Sequence, residues 1–256
     1  MRRRDVGKFA TSFKLFLFFP VRFPYFGVVS EEVALVLETS VETGSIALVS
    51  SREVLFERSF HAGRKPSATL WEPLQEALAT EITPTHVVVG LGPGSYNGVR
   101  IAIAAAQGIA LIKECPTAGL CSFEGVALRG KGLAIGDARR GSFSLQRMNN
   151  GRCEGEVALV DEATLAHRIE NAFAEGMEVF CFEEVARFPL QEELMKQVQR
   201  RQSQAGLLGT AFWGRSPEER VGLETPMLEP IYLRAPHITV GKRRSLLSGK
   251  GDGRNE

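Results

Sequence analysis

Little in this sequence points to metal or redox chemistry. The four cysteines, Cys115, Cys121, Cys153 and Cys181, form no C-x-x-C pair and no dense framework. A disulfide scaffold is thereby excluded, and reduced bystander thiols in a cytoplasmic protein are expected. His61, His86, His167 and His237 lie far apart, with no H-x-x-x-H or H-E-x-x-H spacing to hold a metal on one helix. Charge of one sign is scarce too: 31 Lys and Arg stand against 30 Asp and Glu, a formal net charge of +1. No global basic field draws nucleic acid to such a chain, so a role near RNA needs a local patch or a partner that supplies the charge. Long apolar runs are also missing. The N-terminal stretch from Leu15 to Val29 follows Arg2, Arg3 and Arg4 in the manner of a signal peptide. Pro20 and Pro24 interrupt it, no small-x-small cleavage site follows before Ser30, and it is too broken to span a bilayer. Residues 1–32 are expected to be an extension to the fold, disordered or arising from a start codon placed too far upstream.

What is present is a soluble composition, 44% hydrophobic and 24% charged, with strands and helices in alternation. Val33 to Glu38 reads as a buried strand, Ser45 to Val49 as a second after Gly44, and Glu53 to Phe60 as a third, a β-meander. A helix follows with Leu70, Leu74 and Leu78 at a spacing of four, Ser67 as its cap and Pro73 near its first turn. A buried strand, His86 to Val89, runs into a glycine-rich loop and a helix from about Gly98 to Ile112. A short strand at Cys115 to Gly119 then leads to a helix around Ser122 to Leu128. After Gly130 and Gly132 the pattern restarts. Leu133 to Gly136 is a strand, Asp137 to Gly141 a turn and Ser142 to Met148 a strand, so strand, acid, polar turn and strand occur twice. Helices at Thr164 to Glu175 and Gln191 to Gln202, with a strand at Glu178 to Phe182 between them, complete the pattern. The expected organisation is an N-terminal lobe at 33–130, a C-terminal lobe at 131–240 and a disordered basic tail at 241–256.

The segment most able to carry chemistry is GLGPGSYNGVRIAIAAAQGIA, Gly90 to Ala110. It places a flexible turn at the carboxyl end of a strand and the start of a helix beyond it, where α/β proteins hold ligands and anions. Gly92, Gly94 and Gly98 allow positive φ and let a phosphate or another backbone come close. Three readings stay open for Gly92, Pro93, Gly94, Ser95, Gly98 and Arg100: a partner-interface loop, an anion-contact loop, or a turn that simply needs glycine. The spacing fits neither a P-loop nor a dinucleotide fingerprint, and Ser95 is in no G-x-S-x-G elbow. The helix beyond is small-sided at Ala102, Ala105, Ala106 and Gly108, which suits close packing on the chain's own sheet or on another subunit.

Taken in order, four segments resemble one family. GPGSYNGVRIAIAAAQGIA, ALVLETSVETGSIALV, GLAIGDARRGSFSLQRM and LEPIYLRAP are similar to the glycine signature, opening strand pair, second-lobe start and closing segment of the TsaB (YeaZ) proteins. These are relatives of the glycoprotease-like TsaD group. The resemblance implies an α/β fold of two lobes, actin-like, of the acetate and sugar kinase, chaperone and actin type. It also implies a subunit that is not catalytic on its own. That subunit pairs with the catalytic TsaD through helices of the N-terminal lobe and is joined by the ATPase TsaE. TsaD transfers a threonylcarbamoyl group to N6 of a tRNA adenosine. Under this reading ATP is used by the complex, no cofactor is held tightly here, tRNA is met indirectly, no membrane is involved, and a homodimer is an alternative partner state. In an actin-like ATPase, acids at strand ends hold metal or orient water. Glu38, Thr39, Asp137 and Arg139 are the vestigial nucleotide-site positions that the resemblance implies; for each acid taken alone, a solvated turn with a local ion pair is the alternative reading. The sequence departs from the family pattern at Pro66-Ser67, Tyr96-Asn97 and Ser142-Phe143-Ser144. The rival reading is a small-molecule kinase or metallohydrolase of the same fold acting alone.

Overall fold

A computed structural model of the chain describes residues 31–61 and 66–233; the side chains of residues 66–68 are outside that description. The expectations for the first thirty residues, the tail from Gly241 and Arg234 to Pro236 lie outside the described residues, as does the cap expected of the Ser67 side chain. Two five-stranded mixed sheets organise the rest. The first contains β1 (Val33–Glu38), β2 (Thr43–Ser50), β3 (Val54–His61), β4 (His86–Gly90) and β5 (Thr117–Leu120), in the order β3-β2-β1-β4-β5. The second contains β6 (Lys131–Asp137), β7 (Ser142–Asn149), β8 (Arg152–Asp161), β9 (Glu178–Cys181) and β10 (Gln199–Arg200), in the order β10-β9-β6-β7-β8. Read from its own first strand, each sheet has the order 3-2-1-4-5, with an antiparallel meander on one side and parallel strands on the other. The repeated strand–turn–strand of the sequence is thus a repeated sheet, the actin-like arrangement.

β1 explains why its sequence is unbroken VALVLE. It is central and covered on both faces, so every residue is buried rather than every second one. Val33, Leu35 and Leu37 face a core shared with α1 (Pro66–Leu78) and α2 (Tyr96–Lys113). Ala34 and Val36 face the other core, under α5 (Ala205–Trp213). The second sheet buries Leu133 and Ile135 against α3 (Glu162–Ala174). A further core of Val41, Phe123, Met148, Phe180 and Phe182 joins the two sheets.

Several expectations are corrected. α1 begins at Pro66, so Ser67 is inside the helix and Pro73 lies in its interior. The helix expected at Ser122 to Leu128 is only a 3-10 turn, Ser122–Gly125. The helix expected at Gln191 to Gln202 shrinks to α4 (Glu192–Met195), because Gln199 and Arg200 instead pair with Phe180 and Cys181 at the sheet edge. β8 was not anticipated, although Asn150 and Gly151, at φ 48° and 77°, form the Asn-Gly turn that marks a tight hairpin. Nor were α5 and α6 (Pro217–Leu223) anticipated. Gly206 and Gly209 interrupt the pattern of α5 because they let it lie on the sheet, where a Cβ at 209 would stand 2.6 Å from the Val49 side chain. Among the described residues no helix is long and apolar enough to cross a membrane.

Candidate functional site

The glycine loop leaves β4 at the carboxyl end of the first sheet, and its closest neighbour is the chain's own turn after β1. The Ser95 N–H donates to the Ser40 carbonyl at 2.7 Å. A Cβ on Gly94 would stand 2.2 Å from that carbonyl oxygen, and one on Gly98 only 2.1 Å from the Thr39 carbonyl oxygen. Gly92, at φ 90°, is fixed by its N–H to Ser122 Oγ at 3.0 Å, and its carbonyl accepts the Ser122 N–H at 2.8 Å. The glycines therefore admit backbone. Ser95 caps α2 by accepting the Gly98 N–H at 3.2 Å. Pro93, Gly94 and Ser95 border a cleft of about 740 Å³, while Arg100 stands outside it, its guanidinium 5.2 Å from the Tyr96 ring and bonded to the Tyr96 hydroxyl at 2.8 Å.

That cleft runs between the sheets. Gly94 and Ser95 meet Asp137 and Arg139 there, so one nominated group from each half converges. Asp137 is tied locally: Oδ1 accepts the Arg139 N–H at 2.8 Å, and Oδ2 pairs with the Arg139 guanidinium at 3.2 Å. Arg139 and Arg140 hold φ of 67° and 55°, left-handed values uncommon for side-chain-bearing residues. The Asp137 N–H donates to Glu183 Oε1 at 3.3 Å, and burial pushes the Glu183 carboxyl above its ordinary range. Arg200 bridges the mouth, pairing with Glu42 at 3.1 Å and Glu184 at 2.5 Å. The sequence reading missed Glu183, Glu184 and Arg200; the signal was Glu183-Glu184 just beyond β9, acids after a strand like Glu38 and Asp137.

Glu38 and Thr39 do not reach the cleft. Glu38 is fully buried: Oε1 accepts the Ser40 N–H at 2.6 Å, Oε2 accepts the Ser203 hydroxyl at 2.9 Å, and Ser122 bonds it as well. Burial raises its pKa, and those hydrogen bonds act against the rise. A carboxylate so enclosed latches the end of β1 to the segment before α5, away from the cleft. Thr39 is buried as well, its Oγ1 without a hydrogen-bond partner. Among the described residues no group of three or more His, Cys, Asp or Glu side chains is placed to hold a metal ion.

The small-sided helix divides. Ala102 and Ala106 are fully buried in the chain's own core, so as interface residues they are corrected. Ala105 is half-buried, and Gly108 is exposed with open space where a Cβ would be. One turn on, Leu111 and Ile112 are 81% and 80% exposed. Beside them lies a groove of about 700 Å³ bordered by Gln107, Leu111, Cys115, Pro116 and Pro226.

Comparison with known proteins is consistent with this geometry. Residues 63–181 match the family model described as TsaD, tRNA N6-adenosine threonylcarbamoyltransferase. The chain is 32% identical over 134 residues to the tRNA threonylcarbamoyladenosine biosynthesis protein TsaB of Bacillus subtilis, covering 48% of this chain and 58% of that protein. It is 33% identical over 136 residues to the TsaB of Escherichia coli, with the same coverage of each chain. The chain thus spans somewhat over half the length of these curated relatives. The solved structure of YeaZ from Pseudomonas aeruginosa shares the fold, with a TM-score of 0.57 at 22% identity, over 79% of this chain and all of that one. The family-model match and the two curated relatives make this chain similar, over about half of its length, to the TsaB (YeaZ) proteins and their TsaD relatives.

Proposed function

We propose that this chain is a non-catalytic subunit of the machinery that makes N6-threonylcarbamoyladenosine on tRNA, and that it docks on the catalytic TsaD subunit through the outer face of α2. The observation that carries the docking is the exposure of Leu111 and Ile112 beside Gly108. Two large aliphatic side chains left four-fifths in water beside an open glycine suit a partner helix that approaches closely. The curated relatives' names supply the pathway. In this reading ATP is turned over by the complex with TsaE, this chain works in the cytoplasm, and tRNA is reached through the partner. A homodimer on the same face is the competing outcome.

Gly108→Trp and Leu111→Asp test this without disturbing the fold, since position 108 borders open space and Leu111 is exposed. Co-purification with the cognate TsaD is expected to weaken at least about tenfold for each, the usual loss at a central interface position. Reconstituted tRNA modification should fall in parallel. Undiminished co-purification of both variants would exclude the α2 surface, and modification that proceeds equally well without this chain would exclude the subunit role.

A further inference from the structure

The inter-sheet cleft has two lips of different chemistry, and the docking proposed above uses neither. One lip is aromatic. Tyr96, the first residue of α2, and Tyr232 bring their rings 5.6 Å apart at a tilt of 40°. The Leu91 carbonyl accepts the Ile231 N–H at 2.8 Å, which fixes the segment that carries Tyr232 beside the glycine loop. Both rings keep a free face, at 45% and 43% exposure. The Arg100 guanidinium steadies Tyr96 through its hydroxyl and its ring. The other lip is the turn after β6, where the Arg139 side chain is 74% exposed and Arg140 is exposed beside it.

Charge at the mouth is set by what is already paired. Arg200 ties Glu42 and Glu184, and Arg139 ties Asp137. Glu183, half-buried, accepts the Asp137 N–H. Among the described residues Arg100, Arg140 and Arg187 have no ion pair, and exposed Glu229, three residues before Tyr232, opposes them. α2 adds its positive end, because Ser95, Tyr96 and Asn97 border the cleft. Ser40 borders it too, only 3% exposed and with its hydroxyl unpartnered, a polar group that a ligand can satisfy.

We propose that the mouth of this cleft binds single-stranded RNA, with one base stacked on the Tyr96–Tyr232 pair and the neighbouring phosphates met by Arg140 and the start of α2. Stacking needs an unpaired base with its face free, and exposed rings beside arginines are the surface that accepts one. A duplex hides those faces. That the strand is RNA rests on the function proposed above; the stacking and the charge do not. RNA brought by the partner then also touches this chain.

The test is fluorescence anisotropy of a labelled single-stranded RNA of about twelve nucleotides with the full chain, a length in the range such grooves cover. Binding is expected at about 50 mM salt below about 100 µM protein, and the same sequence as a duplex should bind at least about fivefold more weakly. Tyr96→Ala and Tyr232→Ala should each weaken the single strand at least about fivefold, whereas Tyr96→Phe, which keeps the ring, should stay within about twofold. Arg140→Gln should reduce the slope of log affinity against log salt by about 0.7. Arg2 to Arg4 and Lys242 to Arg244 are present in every variant, so these differences are read at the cleft. No binding in that range, equal affinity for duplex, or affinity unchanged in both alanine variants would each overturn the proposal. Competition by adenosine monophosphate at the RNA's own concentration would make the cleft a mononucleotide site instead. Loss of TsaD co-purification in the alanine variants with RNA binding intact would make the pair a protein contact. The comparison of single strand with duplex uses the wild-type chain, so a variant that fails to fold does not blunt the test. Failure here leaves the subunit role standing wherever modification still requires this chain, which separates the two readings.

Discussion

The ends of β1 and β6 occupy the same place in two sheets of the same strand order, yet their acids have opposite surroundings. Glu38 points into a closed pocket of serines and has no contact with solvent. Asp137 borders an open cleft, and its carboxylate binds the arginine two residues on. The turns that follow differ in the same sense. The one after β1 is covered by the glycine loop, which brings Gly94 and Gly98 against the Ser40 and Thr39 carbonyls. The one after β6 stands free, with three successive left-handed residues, Arg139, Arg140 and Gly141, and open space beside Gly141. A repeated topology therefore fixes where an acid falls and leaves its role to whatever packs on the turn. In the first half the packing makes the acid a latch.

The largest expected effect comes from breaking that packing. Gly98→Ala puts a methyl 2.1 Å from a backbone oxygen, so α2 or the β1 turn must shift. We expect a loss of about 3 kcal/mol or more, in the range that overpacking reaches. Gly141→Ala meets nothing and costs only the left-handed backbone, about 1 kcal/mol. Urea denaturation of both variants checks the difference. Equal losses would mean that the two turns are alike after all.

Next comes the latch itself. Glu38→Ala leaves the Ser40 N–H and the Ser203 hydroxyl without their acceptor in a closed pocket, and about 2–3 kcal/mol should be lost. Its pH dependence has a definite direction. The folded-state pKa lies above the ordinary value of 4.5, so the folded protein holds this proton more tightly than the unfolded chain. The stabilisation is complete below 4.5 and is lost as pH rises towards the folded pKa. Glu38→Gln should remove that decline, so the stability of the variant relative to wild type should grow as pH rises above 4.5. A constant difference from acid to neutral pH would contradict the buried, proton-holding role.

What was legible in the sequence follows the same divide. β1, β4 and the helix after the glycine loop could be read because central strands are continuously apolar and Ser95 is a recognisable cap. The restart at Leu133 could be read from its strand–acid–turn pattern, and the convergence of Gly94, Ser95, Asp137 and Arg139 on one cleft agrees with it. The burial of Glu38 could not be read. Two of its partners, Ser122 and Ser203, are remote in sequence, and only the return of α5 to the first sheet brings Ser203 there. α5 itself was hidden because a helix covered on most sides shows no polar face. Ala102 and Gly108 illustrate the limit on a single helix. Both are small, but one touches the sheet and the other open space, and residue type alone does not tell them apart.

The smallest effect belongs to the open acid. Asp137→Ala removes an acceptor from the Arg139 N–H and a pairing with a guanidinium whose side chain is 74% exposed. Exposed ion pairs contribute up to about 1 kcal/mol, and an N–H turned to water recovers most of its hydrogen bonding. The loss should therefore stay under about 1 kcal/mol, with Arg139→Ala smaller still. The double variant should match Asp137→Ala alone, because the guanidinium has no stabilising role once its carboxylate is gone. Denaturation of the three variants at low and high salt checks this, and the Asp137→Ala loss should shrink with salt. A loss comparable to that of Glu38→Ala would instead place Asp137 in a second latch, and the two halves of the fold would then differ less than their geometry indicates.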